Sequence, residues 1–166
     1  AHQDNESTDR QQITLPYGQE KVILALAEVS KKLVVVNISG SAVAMPWADE
    51  VDAIAQGWYG GTESGNALAD VLTGKVNPAG RLPFTVPFRY EDGPIKTEAQ
   101  YPGIKAGGDE YWQTHDSEGV YVGYRWYSSK KIKVQFPFGH GLSYTTFAYA
   151  NAKADQPEMT ADQTLK

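Results

Sequence analysis

A run rich in β-branched residues at positions 33–38 (Leu-Val-Val-Val-Asn-Ile) constrains the fold of this chain most. Just before it, apolar residues recur at helical spacing and predict an amphipathic helix over residues 17–30. A strand without polar alternation is expected to be buried on both faces, as the central strands of parallel sheets are. We therefore predict an α/β layered fold with a mainly parallel sheet, in which residues 33–38 form a central strand.

The elements that follow repeat this pattern. Residues 51–58 are apolar enough to contain the next strand, and Thr62 can cap a helix that ends at Gly74. The order helix, strand, link, strand, helix is typical of an α/β layered sheet. Because two parallel strands alone would expose too much apolar surface, we expect the chain to be the C-terminal half of a domain in a larger protein.

The second half of the sequence has a different pattern. Residues 91–119 show no clear periodicity, and a loop of that length is usually functional, partly disordered or packed on a neighbour. Residues 120–127 alternate in polarity and predict a strand with two distinct faces. The polar tail from residue 150 is rich in Ala, Asp and Gln, which predicts a linker.

Composition excludes several classes of function. The 166 residues carry a formal charge of −5 and include no cysteine, so disulfides, thiol catalysis and thiolate metal sites are excluded. Without a dense basic stripe, neither nucleic acid nor an anionic membrane is expected as the main partner. The short cluster of Lys130, Lys131 and Lys133 predicts a solvated turn, and no apolar run is long enough to span a bilayer.

Phosphate, nucleophilic serine and metal chemistry also find little support. The glycine-rich residues 57–66 lie between a strand and a helix, but they lack the P-loop and dinucleotide motifs. No Gly-x-Ser-x-Gly nucleophile motif is present. His2, His115 and His140 show no spacing typical of metal ligands, so we predict no metal site.

Carboxylates are the remaining candidates for catalysis. Asp4, Glu6 and Asp9 lie within six residues and are followed by Arg10. Such a cluster could supply the proton donor of a glycosidase, which needs two carboxyl groups around the scissile bond. The residues alone favour a structural interpretation, in which the cluster caps a helix and an Asp9–Arg10 pair holds a loop. The chain also has 10 Tyr, 4 Trp and 5 Phe. Their rings could stack on sugar rings or fill the core, and core packing is the favoured interpretation.

Five ordered motifs resemble glycoside hydrolase family 3, the β-glucosidase/β-xylosidase family. Residues 6–10 with Leu15, Pro16 and Gln19 are similar to its Glu-x-x-Asp-Arg…Leu-Pro-x-x-Gln segment. The other similar segments are residues 34–47, 58–74, 77–83 and 136–147. The resemblance implies that residues 1–149 are the C-terminal portion of the family's α/β sandwich domain. Residues 150–166 would then be a linker toward a fibronectin type III-like domain.

The resemblance also implies a function. Family members carry an Asp nucleophile on an N-terminal (β/α)8 barrel, which is absent here, and Glu6 matches the Glu that acts as acid/base in part of the family. Asp9 and Arg10 would hold its loop, whereas Glu63 and Glu118 fit structural segments. This chain would thus belong to a retaining, exo-acting β-glycosidase, with β-glucosidase favoured, acting on oligosaccharides or other β-glycosides.

The remaining expectations also come from the resemblance. The barrel domain is the expected protein partner, no cofactor is expected, and the location would be extracytoplasmic. Tyr111 and Trp112 in the long loop could line the aglycone side or serve packing. The alternative function is a non-catalytic carbohydrate-binding or interface module of the same fold, which would need no functional Glu6.

Overall fold

The structure is a computed structural model that describes residue 10, residues 12–105, residue 107 and residues 111–164. Three α-helices and two β-strands occur in this part of the chain. In chain order the elements are α1 (Gln19–Val29), β1 (Val34–Asn37), β2 (Ala53–Gln56), α2 (Ser64–Leu72) and α3 (Tyr124–Lys130). Short 3-10 turns occur at Ala48–Glu50 and Tyr90–Asp92.

The two strands form a parallel sheet. Val34 is opposite Ala53 and Asn37 is opposite Gln56, so the strands are in register and end together. The α/β prediction is confirmed, but the expectation that β1 is buried on both faces is wrong for this chain. Val34 is 48% exposed and the neighbouring Ile38 is 52% exposed. Within the described residues β1 pairs only with β2, so part of its apolar surface remains uncovered.

Both predicted N-terminal helices form, with different starting points. Tyr17 and Gly18 have positive φ angles of 57° and 72°, so α1 begins at Gln19 rather than at residue 17. The prediction that Thr62 caps α2 is wrong, because the N-cap position is Glu63 and its side chain makes no capping hydrogen bond. The predicted stop is present, because Gly74 has a φ of 76°, which favours glycine.

A small core lies against α1 and the sheet. Its fully buried members come from the link between the strands: Val43, Met45 and Trp47. Partly buried side chains from α1, both strands, the link itself, the segment before α1 and the C-terminal segment pack around them: Leu15, Ile23, Val35, Ala48, Val51, Ile54 and Phe136. The link is therefore the centre of the core, and its backbone position is fixed by packing on several sides.

The predicted strand at residues 120–127 does not form. Val120 and Tyr121 are exposed, Gly123 has a positive φ of 57°, and α3 begins at Tyr124. Long-range contacts explain the helix: the Trp126 indole Nε1–H donates to the Asp92 carbonyl oxygen, at 3.0 Å. The Tyr124 ring stacks on Phe138, with centroids 4.9 Å apart. These aromatic contacts outweigh the alternating polarity of the segment.

The C-terminal segments are held by backbone and side-chain hydrogen bonds. Residues 82–86 pair with residues 135–140 through backbone hydrogen bonds and one antiparallel bridge, between Val86 and Phe136. Asn77 Oδ1 accepts from Ser143 Oγ and from the Tyr144 backbone N–H, at 3.0 and 2.8 Å. The described residues of 91–119 contain only one short 3-10 turn at their start and an isolated bridge between Ile104 and Gln113. No helix or strand forms over residues 150–164. Within the described part of the chain, none of the helices has the length and apolar content needed to cross a membrane.

Candidate active site

The turns after the two strands meet at the carboxyl edge of the sheet. Residues 39–41 follow β1, and the glycine-rich residues 57–62 follow β2. The Gly57 backbone N–H donates to the Asn37 carbonyl oxygen, at 2.8 Å. A Cβ at Gly57 would lie only 2.5 Å from Ile38 Cδ1, so glycine allows this close approach. In open α/β sheets the carboxyl edge is where ligands usually bind.

Arg10 is anchored to the turn after β1. Its Nη2 donates to Ser41 Oγ at 2.5 Å and to the Ala42 carbonyl oxygen at 2.9 Å. A guanidinium group that binds a backbone carbonyl and a neighbouring hydroxyl fixes the position of its own segment relative to that turn. That Arg10 holds the loop of Glu6 stays a prediction, because that loop lies outside the described residues.

The segment around Arg10 is also held by its backbone and by an apolar contact. The Ala44 N–H donates to the Ile13 carbonyl oxygen, at 2.7 Å. Two residues later, Leu15 packs against the core. Residues 10 and 12–15, which we call the leading segment, therefore lie along the link that begins at Ser41. Glu6 and Asp9, the other two predicted site residues, lie outside the described residues.

A polar network continues from Ser41 across the strand ends. The Ser39 hydroxyl donates to the Ser41 carbonyl oxygen at 2.9 Å and accepts from the side-chain amides of Asn37 and Gln56, at 3.2 and 3.1 Å. Asn37 Nδ2 also donates to Gln56 Oε1, at 2.8 Å. Asn37 and Ser39 are only 5% and 3% exposed. We call Arg10, Asn37, Ser39, Ser41 and Gln56 the strand-end network.

Sequence reasoning did not identify Asn37, Ser39 and Gln56 as members of the candidate site. One signal was present, because Asn37 is the single polar residue in an otherwise apolar strand. A buried amide at a strand end needs partners, and those partners mark where polar chemistry is gathered. The partners themselves could not be read from the sequence, since Gln56 is 19 residues away.

The other carboxylates and aromatic residues singled out from the sequence lie elsewhere. Glu63 accepts a hydrogen bond from Asn66 in the first turn of α2, and Glu118 accepts one from Gln100 in the long loop. Tyr111 and Trp112 are exposed, and Lys105 Nζ lies 5.4 Å from the Trp112 ring centroid. The hydrogen bonds of Glu63 and Glu118 are of the kind expected for local structural roles.

One aromatic side chain lies next to the strand-end network. The Tyr59 ring packs on the backbone of Gly40, where an added Cβ would lie 2.8 Å from Tyr59 Cε2. Gly40 separates Ser39 from Ser41, so the ring covers the turn that binds Arg10. Most of the Tyr59 side chain is exposed, at the same edge of the sheet.

One pKa shift concerns a phenol away from this edge. Burial, and secondarily the negative charge of Asp92, raise the pKa of Tyr127 above its ordinary value of 10.0. Tyr127 lies on α3 and lines a shallow cavity with Thr85, Lys131 and Phe138. Among the described residues, no three His, Asp or Glu side chains come together in a way that could hold a metal ion.

Residues 1–144 match the model of the glycosyl hydrolase family 3 C-terminal domain. The chain belongs to this family. The resemblance found in the motifs is thereby confirmed, and so is the α/β fold of the family's C-terminal domain, which solved structures of β-glucosidases share.

Similar proteins of this family are β-glucosidases. Beta-glucosidase BoGH3A from Bacteroides ovatus is 46% identical over 165 residues, which cover 98% of this chain and 21% of that protein. Beta-glucosidase B from Emericella nidulans is 45% identical over 91% of this chain and 19% of its own length. The chain therefore spans about a fifth of the length of these relatives.

A solved structure extends the similarity to three dimensions. DesR, a β-glucosidase from Streptomyces venezuelae crystallised in complex with D-glucose, matches with a TM-score of 0.82 and 37% identity. The match covers 90% of this chain and 18% of DesR. The backbone described above is therefore similar to one segment of a solved β-glucosidase structure.

Proposed function

We propose that this chain works as part of a longer retaining β-glucosidase and supplies its acid/base carboxylate, Glu6. Family membership and the β-glucosidase relatives support the reaction class. The observation that carries the assignment is the anchoring of Arg10, the last residue of the Glu-x-x-Asp-Arg motif, to the turn at the carboxyl edge of the sheet. This contact fixes the chain four residues after Glu6.

The proposed reaction has two steps. In the first, the carboxylate of an Asp from a barrel domain outside this chain attacks the anomeric carbon, while Glu6 gives its proton to the departing glycosidic oxygen. In the second, the ionised Glu6 takes a proton from a water molecule, which attacks the same carbon and breaks its bond to the Asp. Asp9 and Arg10 hold the Glu6 loop throughout. The proposed substrates are oligosaccharides or other β-glycosides with a terminal glucose.

Glu6→Ala in the full-length enzyme tests this proposal. A general acid matters most for a poor leaving group, so kcat/KM for cellobiose should fall by about 10² or more. For a dinitrophenyl β-glucoside, whose leaving group departs without a proton, kcat/KM should change little. The glycosyl-enzyme should then accumulate, and azide should restore turnover by attacking it. Glu63→Ala and Glu118→Ala are the matched controls.

The outcomes separate the alternatives. Equal losses on both glucosides without azide rescue would move the acid/base role away from Glu6, and the leaving-group signature in either control would assign it there. A full-length wild-type protein that binds glucosides without hydrolysing them would support the non-catalytic module instead.

A further inference from the structure

Gln56 occupies the last position of β2, and its side-chain amide uses both ends within the strand-end network. Its Oε1 accepts from Asn37 Nδ2 at 2.8 Å, whereas its Nε2 donates to the Ser39 carbonyl oxygen at 3.0 Å and to the Ser39 hydroxyl at 3.1 Å. Gln56 therefore joins the end of β2 to the turn after β1 through side-chain atoms.

These contacts define the orientation of the turn. The Ser39 hydroxyl accepts two amide hydrogens, so its own hydrogen is directed to the Ser41 carbonyl oxygen, at 2.9 Å. The Ser41 hydroxyl in turn accepts from Arg10. A continuous path of four hydrogen-bonding residues thus leads from the sheet to Arg10, which is four residues from Glu6 in sequence.

Burial favours this hydrogen-bond arrangement over alternative ones. Ser39 is almost fully buried, so an alternative arrangement would leave polar atoms without partners, which is unfavourable. A buried network with every donor directed stabilises one conformation of the turn rather than several. The conformation of the turn determines where the Ser41 hydroxyl and the Ala42 carbonyl oxygen receive Arg10.

We propose that Gln56 is a positioning residue for the acid/base of the reaction, acting through Ser39, Ser41 and Arg10 on the segment that carries Glu6. This inference rests on the proposed function. Gln56, which lies 46 positions after Arg10 in sequence, would thereby help to orient Glu6 toward the glycosidic oxygen. Proton transfer depends steeply on such orientation, since a misplacement of about 1 Å can cost about 10²-fold in rate.

The test uses Gln56→Met in the full-length enzyme, which keeps the length of the side chain and removes its hydrogen bonds. We expect kcat/KM for cellobiose to fall by about tenfold to a hundredfold. For a dinitrophenyl β-glucoside, which needs no proton from Glu6, kcat/KM should stay within about threefold. The alkaline limb of the cellobiose pH profile should also move, because the environment of the acid changes.

Two further variants separate positioning from folding. Ser41→Ala removes the hydroxyl that binds Arg10 from an exposed position, so the sheet should fold while the same leaving-group dependence appears in weaker form. Ile54→Ala lies on the same strand and packs against the core, so it lowers stability without touching the network. In this variant, kcat/KM should fall by the same factor for cellobiose and for the dinitrophenyl β-glucoside, or should not fall for either.

Glu6→Ala, measured in parallel, distinguishes failure of the positioning role of Gln56 from failure of the proposed function. If Glu6→Ala shows the leaving-group dependence but Gln56→Met and Ser41→Ala do not, the positioning role is overturned and the proposed function stands. If Gln56→Met does not fold, Gln56→Glu, which keeps the shape of the side chain and the acceptor for Asn37 but removes the donor to Ser39, decides in its place. If Glu6→Ala lacks the dependence, the proposed function is overturned as well.

Discussion

The side-chain amide of Gln135 forms hydrogen bonds with both backbone groups of Met45. Oε1 accepts from the Met45 N–H at 2.9 Å, and Nε2 donates to the Met45 carbonyl oxygen at 2.5 Å. The pairing resembles one rung of a β-sheet made by a side chain. Because Met45 belongs to the buried core, these bonds join the C-terminal segment to the link that also receives the leading segment.

Gln135→Met should therefore destabilise this region strongly. The Met45 N–H would lose its partner in a buried site, which costs about 1–3 kcal/mol in the free energy of unfolding, whereas the Met45 carbonyl oxygen would keep its hydrogen bond from the Ala48 N–H. Hydrogen exchange of the full-length protein, followed by mass spectrometry, would detect faster exchange in peptides covering residues 43–47. The matched control is Gln163→Met in the exposed tail, which should leave that exchange unchanged. Unchanged exchange in Gln135→Met would show that the pairing does not hold the link.

The burial of Tyr127 predicts that the stability of the fold depends on pH. Its pKa is raised in the fold, so between about pH 10 and the folded pKa the unfolded chain ionises while the folded chain does not. The stability contributed by the neutral phenol is complete below about pH 10 and is lost as the pH rises through the folded pKa. Tyr127→Phe cannot ionise, so its melting temperature should fall less than that of the wild type over this range.

Melting curves of the full-length wild type and Tyr127→Phe between about pH 8 and about pH 12, roughly two units on either side of the ordinary pKa of a phenol, would measure the effect. Tyr149→Phe is the matched control, because the Tyr149 side chain is 95% exposed. That variant should follow the wild type. A Tyr127→Phe curve parallel to the wild type would mean that burial of this phenol does not contribute to the alkaline loss of stability.

The elements that sequence patterns predicted well are those encoded within one continuous segment. The β-branched run around Val35 gives β1, and α2 has both its apolar spacing and its stop signal, Gly74, in the local sequence. The Glu-x-x-Asp-Arg motif is also local, which is why the family could be recognised from it. In each case the decisive interactions lie within a few residues along the chain.

The elements that were missed depend on contacts between distant residues. α3 forms where alternation predicted a strand, because Trp126 bonds to the Asp92 carbonyl oxygen, 34 residues away. Arg10 meets Ser41 across 31 residues, so no local sequence pattern indicates that these two residues are in contact. Alternating polarity favours a strand when one face of that strand is covered by other residues. Val120 and Tyr121 are both exposed, so neither face is covered at the start of this segment.

The last prediction concerns residues 1–166 as an isolated chain. Large apolar side chains remain exposed on α1 and around β1, among them Val22, Val29, Val34 and Ile38. Water contact at these positions removes part of the hydrophobic stabilisation that a sheet packed on both faces would have. Because the proposed nucleophile also lies outside the chain, the purified fragment should hydrolyse no aryl β-glucoside. It should bind a hydrophobic dye and self-associate on gel filtration.

The control for this prediction is the same fragment carrying Glu6→Ala, purified in parallel. A trace of a host glycosidase would give equal turnover in both preparations, so equal rates are attributed to contamination. Turnover that is present in the wild-type fragment and lost in Glu6→Ala would contradict the prediction. It would mean that both catalytic carboxyl groups lie within these residues, and the search for the nucleophile would then turn to Asp4 and Asp9, the carboxylates nearest to Glu6 in sequence.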